Sequence, residues 1–175
     1  MAESNGPLRV NRAPVLTLWA AIVAERLGHP ADTAMSLASH VAGTAARAKA
    51  RRLGIAEEHD QRSAAPGAEP DDVVRLLGRE IPMTHDEDGV VLADAGDGKP
   101  SPADPVRAYV SRAFGKRLAE VEAAMRALAA SMPPDELNRR GFHLYERFRP
   151  EVPTDVRGWG AKGELDPAKI RSAAS

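Results

Sequence analysis

Four basic side chains crowd a short helical stretch in the first third of the chain. They are Arg47, Lys49, Arg51 and Arg52. In helix-turn-helix proteins, a helix that follows a tight turn uses Arg and Lys to contact phosphates and base edges of duplex DNA. The sequence therefore favours a nucleic-acid-binding or regulatory role for these residues. The alternative is a solvated basic face that acidic residues elsewhere in the chain neutralise.

The residues before this basic stretch predict how the helix begins. Apolar positions spaced along one helical face predict a helix over about 30–42, and Gly43-Thr44 predicts a break after it. Thr44 then caps a second helix that runs to Leu53 and carries the four basic residues. One continuous helix is the alternative, because a single glycine costs a helix only about 1 kcal/mol.

A second group of candidate binding residues lies in the glycine-rich stretch at 157–163. Backbone N–H groups of closely spaced glycines can wrap an anion, and Arg157 and Lys162 add positive charge on either side of Trp159. The stretch lacks the Gly-Lys-Ser or Gly-Lys-Thr order of a nucleotide-binding loop. One interpretation is a small-anion site or an active site at these three residues. The other is that Trp159 packs on the core while the glycines turn the chain.

Residue types for other chemistry are missing or badly spaced. The chain has no cysteine, which excludes disulfides, thiolate metal sites and thiol catalysis. None of its five histidines forms a zinc-ligand spacing, and the aspartates over 86–97 lack the order of a calcium loop. The sequence therefore predicts no metal, no cofactor and no catalytic residue. It favours a binding protein over an enzyme.

The elements that must position these residues are mostly helices. Hydrophobic residues make up 43% of the chain but aromatic residues only 4%, and much of the apolar content is alanine, the strongest helix former. The stretch from Pro14 to Leu27 is apolar over so wide a surface that we place this helix at the centre of the domain, with Gly28 as its stop. Further helices are predicted over about 104–132 and 135–148, and a short one after Asp166.

The most regular amphipathic pattern follows Gly115. Its apolar positions, three and four residues apart, are Leu118, Val121, Met125 and Leu128. Such a stripe packs inside the domain or forms the seam of a dimer, and it is too short for a long coiled coil. A protein-interaction or dimerisation module with this seam is the second functional hypothesis. It requires the stripe to be exposed in the monomer.

The predicted fold class is mainly α, a compact helical domain with a small β-hairpin and a helix-turn-helix-like arrangement. The hairpin is predicted from apolar, β-branched runs at 73–83 and 90–93, with Asp88-Gly89 between them as the turn. Residues 1–10 are predicted to be a disordered tail. Residues 11–175 then form a single domain with a flexible acidic loop at 56–72.

Charge is strongly segregated along the chain, although its net charge is only −1. Residues 1–55 carry a net +4, residues 56–104 a net −9 and residues 105–175 a net +4. The basic ends therefore bind an anionic partner such as DNA, or the acidic centre neutralises them. No signal peptide begins the sequence and no uncharged apolar window is long enough to span a bilayer, so we expect a cytoplasmic protein with no membrane partner.

Two stretches resemble parts of uncharacterised bacterial proteins of similar size. The first is RAPVLTLWAAIVAERLG at 12–28, and the second comprises YERFRPEVP at 145–153 and RGWGAKG at 157–163. The resemblance implies that the two stretches belong to one fold. It implies no activity, no catalytic residue and no cofactor.

Overall fold

A computed structural model of the chain describes residues 7–52, 73–94, 99–150 and 163–173, with the backbone alone for 43–52. The prediction of a mainly α fold is confirmed. The helices are α1 (Arg12–Arg26), α2 (Ala31–Arg52), α3 (Ala103–Phe114), α4 (Leu118–Ala130), α5 (Pro134–Phe148) and α6 (Pro167–Arg171), and a 3-10 turn at Gly115–Arg117 joins α3 to α4. The strands are β1 (Leu8–Val10), β2 (Val73–Leu76), β3 (Arg79–His85), β4 (Val91–Ala93) and β5 (Gly163–Leu165).

Helix α1 lies at the centre of the molecule. All eleven residues from Pro14 to Ala24 are buried, and the helix contacts α2, α3, α4 and α5 as well as β2. After α1, Gly28 has a φ of 110°, a conformation that glycine adopts without strain. Both the central position of this helix and its glycine stop are confirmed.

Helix α2 runs without a break through Gly43 and Thr44. The predicted break there is wrong, and Thr44 is an interior residue rather than a cap. The flanking alanine, arginine and lysine residues are strong helix formers, and together they outweigh the cost of one glycine. Residues 31–52 therefore contain no turn of the kind that a helix-turn-helix needs, and the four basic residues belong to the second half of one long helix.

The predicted hairpin is in fact a three-stranded antiparallel sheet in the order β2-β3-β4. The first apolar run folds back on itself at Leu77-Gly78, where the φ angles are 53° and 81°. Two left-handed residues in a two-residue turn match the twist of a hairpin. Leucine is an unusual residue at such a position, so the sequence did not indicate this turn. The turn at Asp88-Gly89 is confirmed, with a φ of 84° at Gly89.

A second, two-stranded sheet pairs β1 with β5, so that Leu8 lies opposite Leu165. Leu8, Val10 and Leu165 are buried. Residues 8–10 were predicted to belong to a disordered tail, and that boundary is wrong. The error has a simple cause, because three residues are too few to show strand alternation and their partner strand lies near the other end of the chain. The predicted acidic loop at 56–72 lies outside the described residues.

Helix α5 packs on α1 and on the first hairpin at a single glycine. The Trp19 indole N–H donates a hydrogen bond of 2.9 Å to the carbonyl oxygen of Gly141, and the rings of Trp19 and Phe148 meet edge to face. A Cβ atom at position 141 would overlap the side chain of Leu77. The absence of a side chain at Gly141 therefore allows the close approach of α5 to the β2–β3 turn.

One turn earlier, the side chain of Asn138 covers the free edge of β2. Its Oδ1 accepts a hydrogen bond of 2.9 Å from the Leu77 N–H, and its Nδ2 donates one of 2.9 Å to the Arg75 carbonyl oxygen. The amide thus replaces the peptide group of a neighbouring strand and occupies backbone groups that an edge strand would otherwise expose.

Candidate functional site

The residues predicted to bind nucleic acid occupy the second half of α2. The backbone at Arg47, Lys49, Arg51 and Arg52 is helical, and their side chains lie outside what the structure describes. The residues predicted to bind a small anion, namely Arg157, Trp159 and Lys162, also lie outside the described residues.

The apolar stripe predicted as a dimer seam belongs to the core. Val121, Met125 and Leu128 are buried within the monomer, and Leu118 is half-buried against them. Helix α4 packs against α1 and α6, and this buried stripe belongs to the packed side of the helix. The seam is therefore unavailable to a second copy of the chain, and this form of the interaction hypothesis is wrong. The sequence left packing inside the domain as the alternative, and the structure shows that alternative.

A cleft of about 370 Å³ opens between α1, α2, α3 and α4, and we name it the helical cleft. Its floor is one face of the central helix α1, while α2 and α3 form one wall and α4 the other. The apolar lining comes from all four helices, through Leu18, Ala21, Ile22, Met35, Val110 and Leu118. Because α1 is packed on several sides, this floor is held by the core of the protein.

Arg126 lies on the α4 side of the helical cleft and connects α4 to α1. Its guanidinium donates to Glu25 at 3.0 Å and to Glu122 at 2.7 Å. The hydrogen bond to Glu122 is the main cause that raises the pKa of Arg126 above its ordinary value. The side chain of Arg126 is 47% exposed, so this ion pair lies at the boundary between the apolar floor and solvent.

Arg107 lies on the opposite wall and connects α3 to α2. Its guanidinium donates to Asp32 and to Asp104, each at 2.7 Å. The pKa of Arg107 is raised, with the hydrogen bond to Asp32 as the largest cause. The hydroxyl-bearing Ser111 adds a polar group to the same wall, one turn further along α3.

The two arginine clusters carry an excess of negative charge. Two guanidinium groups face four carboxylates, so the formal charge of the clusters together is −2. In each cluster, one carboxylate balances the charge of the arginine and the second carboxylate leaves a net charge of −1. Asp32 and Asp104 do not line the helical cleft. Its charged rim is therefore balanced as a whole, with a local net charge of −1 where Glu25 and Glu122 meet Arg126.

A second concave surface is larger and shallower. About 650 Å³ lies between the β2-β3-β4 sheet and the turn from α1 to α2, where His29, Val74, Met83 and Val91 contribute to the lining. Val91 is 43% exposed. Burial lowers the pKa of His29, which favours the neutral imidazole. This surface is mostly apolar and offers few charged groups to orient a ligand.

The helical cleft was not predicted from the sequence. Its lining residues come from four helices, and a residue pattern along one helix does not tell which other helix faces it. The Glu122-Arg126 spacing was visible, but an acidic and a basic residue four positions apart predict only a helical ion pair.

Within the described ranges, no three His, Asp or Glu side chains are grouped so that they could hold a metal ion. The same ranges contain no helix long and apolar enough to cross a membrane. Comparisons with protein-family models, curated proteins and solved structures find no match to this chain. The geometry of the helical cleft therefore carries the functional inference by itself.

Proposed function

We propose that this chain is a small-molecule-binding protein whose ligand occupies the helical cleft. The observation that carries the proposal is the combination of an apolar floor with charged groups on both walls. Ligand sites in proteins are typically clefts of roughly 300–1,000 Å³ with apolar linings and a few polar groups that fix orientation. The helical cleft, at about 370 Å³, meets this description at the lower end of the size range.

The position of the floor supports the proposal further. Leu18, Ala21 and Ile22 belong to the most deeply buried helix of the protein, and each is less than 5% exposed. A ligand that contacts them meets side chains already ordered by the core. Binding to such a preformed surface costs little conformational entropy.

The test is a fragment titration followed by amide NMR of the uniformly labelled full chain. Fragments with an aromatic or aliphatic body are expected to shift the amide signals of residues 18–22 and of Leu118. Ser111→Leu, at an exposed position that lines the cleft, narrows it and should weaken the shifts. Ala127→Leu places the same side chain at an exposed position of α4 outside the lining and should leave them unchanged. Shifts of undiminished size in Ser111→Leu, or shifts that never include the floor, would contradict the proposal.

Nucleic-acid binding by the second half of α2 is a second candidate. The observation in its favour is the continuity of α2, which makes positions 47 and 51 neighbours one turn apart on the same side of the helix. At about 100° per residue, they lie about 130° and 90° around the helix from the buried stripe at 34, 37, 38 and 41. Two basic residues so spaced suit contacts with the phosphate backbone.

The competing interpretation is neutralisation of that side of α2 within the chain. In the first half of α2, Thr33 Oγ1 donates to the Val91 carbonyl and Ser36 Oγ to the Ser101 carbonyl, each at 2.7 Å. Positions 47 and 51 lie further along this side of the helix, whose first half contacts residues 91 and 101 of the acidic segment at 56–104.

Anisotropy of a labelled random-sequence duplex, titrated at two salt concentrations, separates the two interpretations. Nucleic-acid binding predicts affinity that falls steeply with salt and falls further in Arg47→Ala/Arg51→Ala. The matched control Lys49→Ala/Arg52→Ala removes the same charge from other positions of the same helix and should weaken binding less. Absence of binding at low salt would exclude this candidate and leave the small-molecule proposal intact.

A further inference from the structure

The charges around the helical cleft bear on the class of ligand that it takes, an inference that rests on the proposed function. We infer that the ligand is an amphipathic cation, with an aliphatic or aromatic body on the floor and an ammonium or guanidinium group at the rim. The first argument is the charge balance. On the α1–α4 side of the cleft, the carboxylates of Glu25 and Glu122 flank the single guanidinium of Arg126, so a cationic group reduces a local excess of −1 and an anionic group increases it.

The second argument is the way in which Arg126 is held. It contacts Oε1 of Glu25 and Oε2 of Glu122, one oxygen of each carboxylate at the distances given above. A carboxylate has about four acceptor positions, so both groups retain capacity for an N–H donor. Arg126 fixes the orientation of both carboxylates, and its own positive charge is outnumbered by them.

The third argument is where these acceptors lie relative to the floor. Glu25 is one turn beyond Ile22 on α1, and Glu122 is one turn beyond Leu118 on α4. Both carboxylates therefore border apolar residues that line the cleft. A ligand with its body against Ile22 and Leu118 has its polar end beside Glu25 and Glu122, where an ammonium group finds acceptors.

Arginine-mediated recognition of an anionic ligand is the alternative that the charges disfavour. A ligand carboxylate at Arg107 or Arg126 enters a rim where each guanidinium already has two carboxylate partners. It must displace one of them or accept like-charge repulsion from both. A cation beside Glu25 and Glu122 displaces no ion pair, and the repulsion from the one guanidinium of Arg126 is outweighed by the attraction of the two carboxylates.

The experiment compares three probes with one body: 2-phenylethylamine, 3-phenylpropionate and 2-phenylethanol. Each is titrated into the labelled full chain at low ionic strength, and affinities are taken from the amide shifts of residues 18–22. We expect the amine to bind about two- to fivefold more tightly than the alcohol, as a half-exposed ion pair allows, and the propionate to bind more weakly than both. Salt should reduce the advantage of the amine.

Two variants assign the effect to the rim. Glu25→Gln and Glu122→Gln should each remove most of the advantage of the amine over the alcohol and leave the affinity of the alcohol unchanged. Glu136→Gln is the matched control, because Glu136 pairs with Arg140 at 2.8 Å with the same four-residue spacing on α5, away from the cleft. Melting curves of all three variants report any loss of folding.

The outcomes separate the two levels of the proposal. Equal affinity for amine and alcohol, or tighter binding of the propionate, overturns the cationic class while the cleft remains a ligand site. If none of the three probes shifts residues 18–22, the proposed function fails together with the inference. An advantage of the amine that survives in both Glu25→Gln and Glu122→Gln overturns the assignment to these carboxylates.

Discussion

A single missing side chain sets the packing of α5. Gly141 lies in the middle of a helix, where alanine is ordinarily more stable than glycine by about 1 kcal/mol. Here, however, a Cβ atom at position 141 would overlap the side chain of Leu77. The backbone of Leu77 has a positive φ in the β2–β3 turn. Alanine at position 141 should therefore stabilise the helix through its propensity and destabilise the protein through packing. The measured stability of the Ala variant reveals which effect is larger.

We expect packing to be the larger effect. Gly141→Ala should lower the free energy of unfolding by about 1–3 kcal/mol, the usual cost of overpacking a core. Leu77→Ala in the same chain removes the overlap, so the double variant should be less destabilised than the sum of the two single variants. Urea denaturation of the four proteins measures this coupling. Additive effects would show that the two side chains do not compete for space.

The amide of Asn138 makes a second, independent contribution at the same junction. Asn138→Ala removes both of its hydrogen bonds to the edge of β2 and should cost about 1–2 kcal/mol. Asn138→Asp keeps the acceptor for the Leu77 N–H but places a carboxylate oxygen against the Arg75 carbonyl oxygen, so denaturant unfolding should show it to be at least as unstable as the Ala variant. An Asp variant markedly more stable than the Ala variant would mean that the donor to Arg75 contributes little.

At the scale of elements, the continuity of α2 is the feature with the widest consequences. A turn at Gly43-Thr44 would make the basic stretch a separate recognition helix. A continuous helix instead links that stretch rigidly to residues 31–42, which pack on α1, α3 and β4. Position 43 lies about 180° around the helix from the buried Ala34 and is therefore on the side of α2 opposite this packed residue.

Gly43→Ala distinguishes these two arrangements. In a continuous helix it should raise the free energy of unfolding by up to about 1 kcal/mol and increase the helical circular dichroism signal. Thr44→Ala serves as the control, because it should cost little at an interior position but about 1 kcal/mol at an N-cap. Destabilisation by both changes would indicate a break at this point.

The elements that the sequence predicted well are those whose packing follows from one helix alone. In α5, the predicted apolar face of Leu137, Gly141, Leu144, Tyr145 and Phe148 is the buried face. In α1, the wide apolar surface corresponds to a helix packed on several sides. A local pattern is sufficient in both cases, because burial depends on which positions are apolar and hardly on the identity of the neighbour.

The features that the sequence did not predict depend on contacts between distant segments. Arg107 joins Asp32 across α2 and α3, and Arg126 joins Glu25 across α1 and α4. Neither pair has a spacing that a helix or strand pattern detects. The helical cleft consists of such contacts, so its position follows only from the assembled helices.

At the scale of the whole molecule, the chain has only two tyrosines, and one of them links folding to alkaline pH. Burial raises the pKa of Tyr145 to about 12 from its ordinary value of 10.0. The folded state therefore favours the protonated phenol. The resulting stability is fully present below pH 10 and is lost as the pH rises from about 10 to about 12.

Tyr145→Phe should remove this part of the pH dependence. Between pH 9 and pH 12, the free energy of unfolding of the wild type should fall by about 2–3 kcal/mol relative to that of the variant, in proportion to the shift in pKa. Tyr109, which is 39% exposed, provides the control, and Tyr109→Phe should follow the wild-type curve far more closely. Parallel curves for all three proteins would contradict the burial argument.

The pairing of β1 with β5 has a consequence for the order of events on the ribosome. Leu8–Val10 is translated before α1, but its partner Gly163–Leu165 is translated only after α5. Throughout synthesis, the apolar side chains of Leu8 and Val10 lack the strand that covers them in the finished protein. Closure of this small sheet is therefore a late, long-range step, of the kind that slows folding and leaves a nascent chain dependent on chaperones.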